Sequence, residues 1–358
     1  MTAITISSLK RLTGEAPQSA IVLAQVQSRA ERVTKNGKPY LELVFADATG
    51  SASIKVWFDS PIYQQVLELE TDAVVRIEAK WVSGTYGLDA KDAALARLDG
   101  EAKDGFYAGD PALLSKQAED YAVVEKLCES IVDPRLHALC RMFLGQFGER
   151  FRRTAAAKKN HHARRGGLVE HVSQMMRSAD ALCPVYQEIN RDLLLAGVLF
   201  HDCGKLWENP YPTRGFTQTP TIYGELMGHI PMGIEIVNKL WRDLMETEEA
   251  AAWAALQPSA EMVRLHLLHL IGSHHGEHQF GSPVLPRTPE AFALHFIDNL
   301  DAKMEMVREG YANSAEIVPQ IHERVFPLPA NLVKPLSRYD ATMDTHDQTP
   351  EDTDVATG

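Results

Sequence analysis

The chain has 358 residues, 45% of them hydrophobic, 23% charged and 8% aromatic, the profile of a folded protein of two or three domains. With Gly 23, Pro 19 and Cys 4 it is not a collagen-like, low-complexity or disulfide-scaffold chain. The net charge of −12 speaks at first sight against a nucleic-acid partner, although six acids and no Lys or Arg lie between Asp340 and Gly358, and distant charges are screened.

Residues 1–15 read as an N-terminal segment without the charged start and apolar stretch of a secretory leader. No apolar run approaches the ~20 residues of a membrane span. The expectation is a cytoplasmic protein with no membrane partner, its four cysteines (Cys128, Cys140, Cys183, Cys203) reduced.

Residues 16–99 read as strands. Ile21–Val26 opens a β run, the turn signal Lys35-Asn36-Gly37-Lys38 leads into Tyr40–Phe45, and Ala46–Gly50 turns the chain into Ser51–Trp57. Ser60–Leu69 has helical spacing, and Ala73–Val82 and Thr85–Ala90 are two further β runs. Three strands, a short helix and two strands is the order of the OB-fold, a barrel that often binds single-stranded nucleic acid. Trp57 and the other aromatics are either barrel core or platforms for bases. Lys35 and Lys38, with Arg32 and Lys55, offer an edge for phosphates.

Residues 100–109 are polar and contain glycine, which reads as a linker. Residues 110–337 have helical spacing throughout, with Leu193–Phe200 apolar all round as a buried central helix. The basic run Arg150, Arg152, Arg153, Lys158, Lys159, Arg164 and Arg165, opposed only by Glu149, is either a phosphate groove or a solvated helix face. Residues 338–358 form an acidic tail expected to be disordered. The fold class is therefore multidomain, an all-β barrel followed by an all-α domain.

Ligand-type side chains recur in the helical part: His171, the adjacent His201-Asp202, His229, His274-His275 and Asp298. Imidazole and carboxylate suit Mn, Fe, Co, Ni or Zn. Asp202 follows an apolar run where an unpaired carboxylate is costly, and a bound cation removes that cost. A lone buried histidine is more often a hydrogen-bonded core residue, but five segments each supplying a ligand type argue for a metal site.

The pattern His171…His201-Asp202…Asp298 resembles the H…HD…D signature of HD-domain metal-dependent phosphohydrolases, and His229 with His274-His275 resembles the members with a second metal. Asn160-His161-His162, Gly166–His171, His201–Lys205, Gly228-His229-Ile230, Ser273–Gly276, Gly281-Ser282-Pro283 and Asp298–Lys303 resemble the YhaM-type 3′→5′ exoribonucleases, which join an OB-fold to an HD domain. The resemblance implies one ion held by His171, His201, Asp202 and Asp298, with Asp202 bridging to a second held by His229 and one or both of His274 and His275. It also implies that Lys205 contacts a substrate phosphate, the alternative being an ion-paired surface lysine. His161, His162, Arg164 and Arg165 are further candidates for substrate contact. Asp301 is either an acceptor supporting a ligand or a plain helix carboxylate.

The resemblance thus implies a metal-dependent 3′→5′ exonuclease. It would hydrolyse single-stranded RNA, with single-stranded DNA as a second class, to nucleoside 5′-monophosphates by metal-activated hydroxide. Two divalent ions are expected, manganese foremost, with Fe, Co, Ni, Mg or Zn as alternatives; a homo-oligomer is an open option. One rival is an HD-type phosphodiesterase of small cyclic or linear nucleotides, which would not need the barrel. Another is a non-catalytic single-strand-binding protein whose binding survives chelation.

Overall fold

The computed structural model describes residues 2–12, 16–84, 87–158, 162–208 and 210–338. The N-terminal part comprises β1 (Ala3–Ile4), α1 (Ile6–Leu12), β2 (Gln18–Val33), β3 (Pro39–Asp47), β4 (Gly50–Trp57), α2 (Tyr63–Leu67), β5 (Val74–Gly84) and β6 (Gly87–Arg97). The sheet order is β4-β3-β2-β5-β6, with β1 parallel to the start of β2. The long strand β2 is bulged between Val26 and Ser28, pairing antiparallel with β5 through Gln18–Gln25 and with β3 from Gln25 onward. A bulge bends a strand, and β6 lies beside β4, which closes the barrel. Val22, Ala24, Val26, Leu41, Leu43, Phe45, Ile54, Val56, Val75, Ile77 and Trp81 fill it, the inward half of each alternating pattern.

Of the N-terminal segment, residues 2–12 are described, and they pack on the barrel. Ile6 and Leu9 of α1 are fully buried in its core, and Asp47 Oδ2 accepts from the Ile6 amide at 2.7 Å.

Residues 100–109, expected as a linker, are mostly helical. Gly100–Tyr107 is a helix, α3. Its polar composition hid the anchor at its end, where Phe106 packs edge-on against Phe216 at 5.2 Å in a small cluster with Ala46 and Val74. Beside it, Gln25 of the barrel is 2% exposed. Its Oε1 accepts from the Phe216 amide at 2.7 Å and its Nε2 donates to Asp72 at 2.8 Å. The barrel is thus docked on the second domain through a buried amide.

That domain is built from α4 (Pro111–Glu129), α5 (Pro134–Phe151), α6 (Gly167–Leu182), α7 (Arg191–Phe200), α8 (Lys205–Glu208), α9 (Ile222–Met227), α10 (His229–Met245), α11 (Glu248–Ala251), α12 (Ala260–Ser273) and α13 (Pro289–Asn313). Side chains of Asp110, Asp133, Asn190, Ser259 and Thr288 cap α4, α5, α7, α12 and α13, each satisfying an amide the helix start leaves free. Every residue of α7 from Leu193 to Phe200 is buried, so it is the central helix. The domain is helical as expected, with one addition after α13: β7 (Glu316–Val318), β8 (Ile321–His322) and β9 (Leu332–Val333) form a small antiparallel sheet, too short to show a period in the sequence. Residues 339–358 of the acidic tail lie outside the described residues. No helix among the described residues is long and apolar enough to cross a membrane.

Candidate metal centre

Five segments bring their ligand-type residues to one place. His171 lies in the second turn of α6; His201 and Asp202 follow α7; His229 opens α10; His274 and His275 follow α12; Asp298 lies midway along α13. Two glycines allow the approach. A Cβ at Gly204, just after the His201-Asp202 doublet, would sit 2.0 Å from the His229 carbonyl oxygen, and one at Gly167 would sit 2.0 Å from that of His162. Neither space admits a side chain.

The aspartate is central. Asp202 Oδ2 lies 3.3 Å from His201 Nε2 and 3.8 Å from His171 Nε2. Its Oδ1 lies 3.5 Å from His229 Nε2 and 3.7 Å from His274 Nε2. Asp298 Oδ1 faces His171 Nε2 at 3.3 Å. His229, His274 and His275 bring their ring nitrogens within 4.8 Å of one another, as do the ligand atoms of His171, His201 and Asp202.

Each ring is oriented from behind. His201 Nδ1 bonds the Val198 carbonyl at 2.8 Å, His274 Nδ1 that of Ile271 at 2.8 Å, and His275 Nδ1 that of Phe280 at 2.6 Å. His171 Nδ1 bonds Asp301 Oδ2 at 2.7 Å, and His229 Nδ1 faces Glu208 Oε2 at 3.3 Å. A carbonyl can only accept, so Nδ1 carries the hydrogen and Nε2 presents its lone pair. His201 Nε2, His229 Nε2, His274 Nε2 and Asp202 Oδ1 are buried and have no hydrogen-bond partner. Orphaned acceptors converging on one point are what a cation satisfies, so the residues fit a divalent metal.

Electrostatics agree. Burial pushes the Asp202 carboxyl up, but Lys205 and His201 outweigh it and hold it well below the usual carboxylate range. Burial, with His201 and His275 beside it, holds His274 well below the usual imidazole value, hence neutral. Burial also lowers His171, yet Asp298 and Asp301 reverse the balance and raise it to about 9. Cys203 is fully buried and its thiol is pushed up, so it supplies no nucleophile.

The substrate-contact expectations fare differently. Lys205 is near the centre, its Nζ 2.5 Å from Asp202 Oδ2 and its side chain 14% exposed. His162 is fully buried, its Nε2 bonded to Asp301 at 3.1 Å. Arg164 is paired with Glu170 and Glu305. Arg165 donates to the carbonyls of Pro212, Thr213 and Gly215. Together with Arg150 on Leu206 and Arg153 on Tyr211, it makes much of the basic run a clamp. An irregular loop needs donors for its carbonyls, and Arg153 and Arg165 supply them between Tyr211 and Gly215. His161 lies outside the described residues.

Lys35 and Lys38 are exposed at the tip of the β2–β3 hairpin, on the barrel and not among the ligands. Trp57 is half-buried beside Tyr40, ring centroids 5.4 Å apart, whereas Trp81 and Phe45 are core. Glu208 was not singled out from the sequence; one helical turn beyond Lys205, its spacing was the available signal.

The HD-domain family model matches residues 168–303. The 3′-5′ exoribonuclease YhaM of Oceanobacillus iheyensis is 35% identical over 287 residues, 79% of this chain and 83% of that protein. Its namesake from a Geobacillus species is 34% identical over 301 residues, 82% of this chain and 85% of that protein. The second OB-fold domain of replication protein A from Methanococcus maripaludis aligns with 28% of this chain and 98% of its own at 18% identity and a TM-score of 0.22. The barrel assignment therefore rests on its strand order and closure rather than on that likeness. With its HD domain and this identity along most of its length, the chain belongs to the YhaM 3′-5′ exoribonuclease family.

Proposed function

We propose that the chain is a metal-dependent exonuclease that degrades single-stranded RNA from its 3′ end to nucleoside 5′-monophosphates, with manganese as its preferred ion. The observation that carries this reading is the division of Asp202 between two sets of histidines, Oδ2 toward His171 and His201, Oδ1 toward His229 and His274. His171, His201, Asp202 and Asp298 would hold one ion; Asp202, His229, His274 and His275 would hold the second. Divalent ions bound there supply Lewis acidity at a scissile phosphate and lower the pKa of water toward neutrality.

The remaining work falls to the chain's own side chains. The carboxylate of Asp202 is kept ionised by Lys205. The Lys205 ammonium, at the solvent edge, offers a compact positive charge to a phosphate oxygen of the substrate. On the barrel, the exposed Phe58 pairs edge-on with Tyr63 at 5.2 Å and Trp57 pairs with Tyr40. Such faces stack bases without regard to sequence, while Lys35 and Lys38 meet phosphates.

The test is an oligoribonucleotide labelled at either end and incubated with Mn²⁺. Mononucleotides should leave the 3′-labelled strand first and shorten the 5′-labelled strand progressively. Asp202→Asn should lower turnover by at least about 1,000-fold, the scale of losing a Lewis-acid site. Release that persists in EDTA, or cleavage of small cyclic nucleotides alone, would refute the reading.

A further inference from the structure

His171, like His229 with Glu208, has a carboxylate rather than a main-chain carbonyl behind it. His201, His274 and His275 bond main-chain carbonyls, whereas His171, inside α6, bonds the side chain of Asp301. Behind that carboxylate is a second imidazole. His162 Nε2 lies 3.1 Å from the same oxygen, Asp301 Oδ2, that takes His171 Nδ1 at 2.7 Å. Both rings are buried, with centroids 5.7 Å apart.

The placement of His162 is enforced. Its φ is +47°, a left-handed conformation that residues with a Cβ rarely adopt. Gly167 closes on its carbonyl, a Cβ there reaching 2.0 Å, and the same carbonyl accepts from the Ala156 amide at 3.3 Å. Its Nδ1 has no hydrogen-bond partner, Glu170 being 3.6 Å and Glu305 3.9 Å away. The side chain's hydrogen bond is therefore spent on Asp301. Strained backbone around a buried polar ring persists where the surroundings over-determine it, and such positions cluster at functional sites.

We propose that His162 is a positioning residue of the metal centre, donating Nε2–H to Asp301 so that one doubly held carboxylate oxygen fixes the His171 ring and aims Nε2 at the ion. This rests on the metal-centre reading above. A buried carboxylate with a single donor could swing away from His171; a second donor on the same oxygen removes that freedom. Loss of partners that orient metal ligands typically lowers metal affinity 10- to 100-fold.

The experiment measures equilibrium Mn²⁺ affinity of the full chain by chelator competition, with thermal unfolding of each variant alongside. His162→Phe fills the space and removes the donor; His162→Gln keeps an N–H. Affinity should fall about 10- to 100-fold in the first and return to within a few-fold of wild type in the second. Catalytic turnover of the first should recover at saturating Mn²⁺ far more than at limiting Mn²⁺. A folded His162→Phe protein with wild-type affinity overturns the proposal, as does a folded His162→Gln protein no better than the Phe variant. If His162→Phe does not fold, Asp301→Asn, nearly identical in volume, should show the same fall, and wild-type affinity there overturns the proposal equally. A wild-type chain that takes up no divalent ion refutes the metal centre itself, an outcome distinct from failure of the His162 relay.

Discussion

Every ligand-type imidazole in the centre has its Nδ1 engaged from behind, so the Nε2 atoms face the site before any ion arrives. At His171 the ring's own charge opposes metal binding. Asp298 and Asp301 overcome its burial and raise its pKa to about 9, and an ion on Nε2 must displace that proton. Mn²⁺ affinity should therefore rise with pH up to about 9 and level off above it, with proton release measurable by calorimetry in buffers of different ionisation enthalpy. An affinity flat between pH 6 and 9 would contradict this. At this scale the sequence was informative where a residue type has few other reasons to be buried, as with His201-Asp202. It was mute on direction: nothing in Asn160-His161-His162 tells which way a ring turns, and His162 turns inward because its backbone is left-handed.

Helices deliver these residues by their ends. Both α7 and α12 stop at the centre, His201 and His274 standing as their C-caps. The free carbonyls of a helix C-terminus carry partial negative charge, so two helix ends add to the attraction for cations. Gly204 joins the end of α7 to the start of α10, with no room for a Cβ against His229. Gly204→Ala should lower stability by about 3 kcal/mol, the upper range for overpacking, read as a shifted denaturant midpoint. It should also weaken binding of the ion on the His229 side, and an unchanged midpoint would contradict the packing argument. Elements with a strong period, such as the apolar α7 and the alternating barrel strands, were legible. The helix α3 was not, because its one deep anchor, Phe106, is explained only by Phe216, more than a hundred residues away. The partners of the basic run were hidden for the same reason, since the carbonyls that Arg153 and Arg165 serve belong to a loop whose path no local pattern foretells.

At the scale of the whole molecule, the barrel and the catalytic domain were separable in the sequence by their periods, 2 against 3.6. How they meet was not. The seam depends on Gln25, a polar residue inside a strand that reads as apolar, with its amide divided between Asp72 and the Phe216 main chain.

On the proposed function, a barrel seated in this way would act as a ruler. A strand gripped by the aromatic faces near Trp57 and threaded to Asp202 has a shortest length that touches both. Once trimming brings a substrate below that length, only the cutting end retains hold of it, and degradation should slow abruptly. Time courses on homopolymers should therefore pile up at a short limit oligomer of constant size, which lengthened starting strands leave unchanged and which weakening the seam by Gln25→Ala blurs. A smooth descent to mononucleotides without such a pause would mean that the two grips act independently.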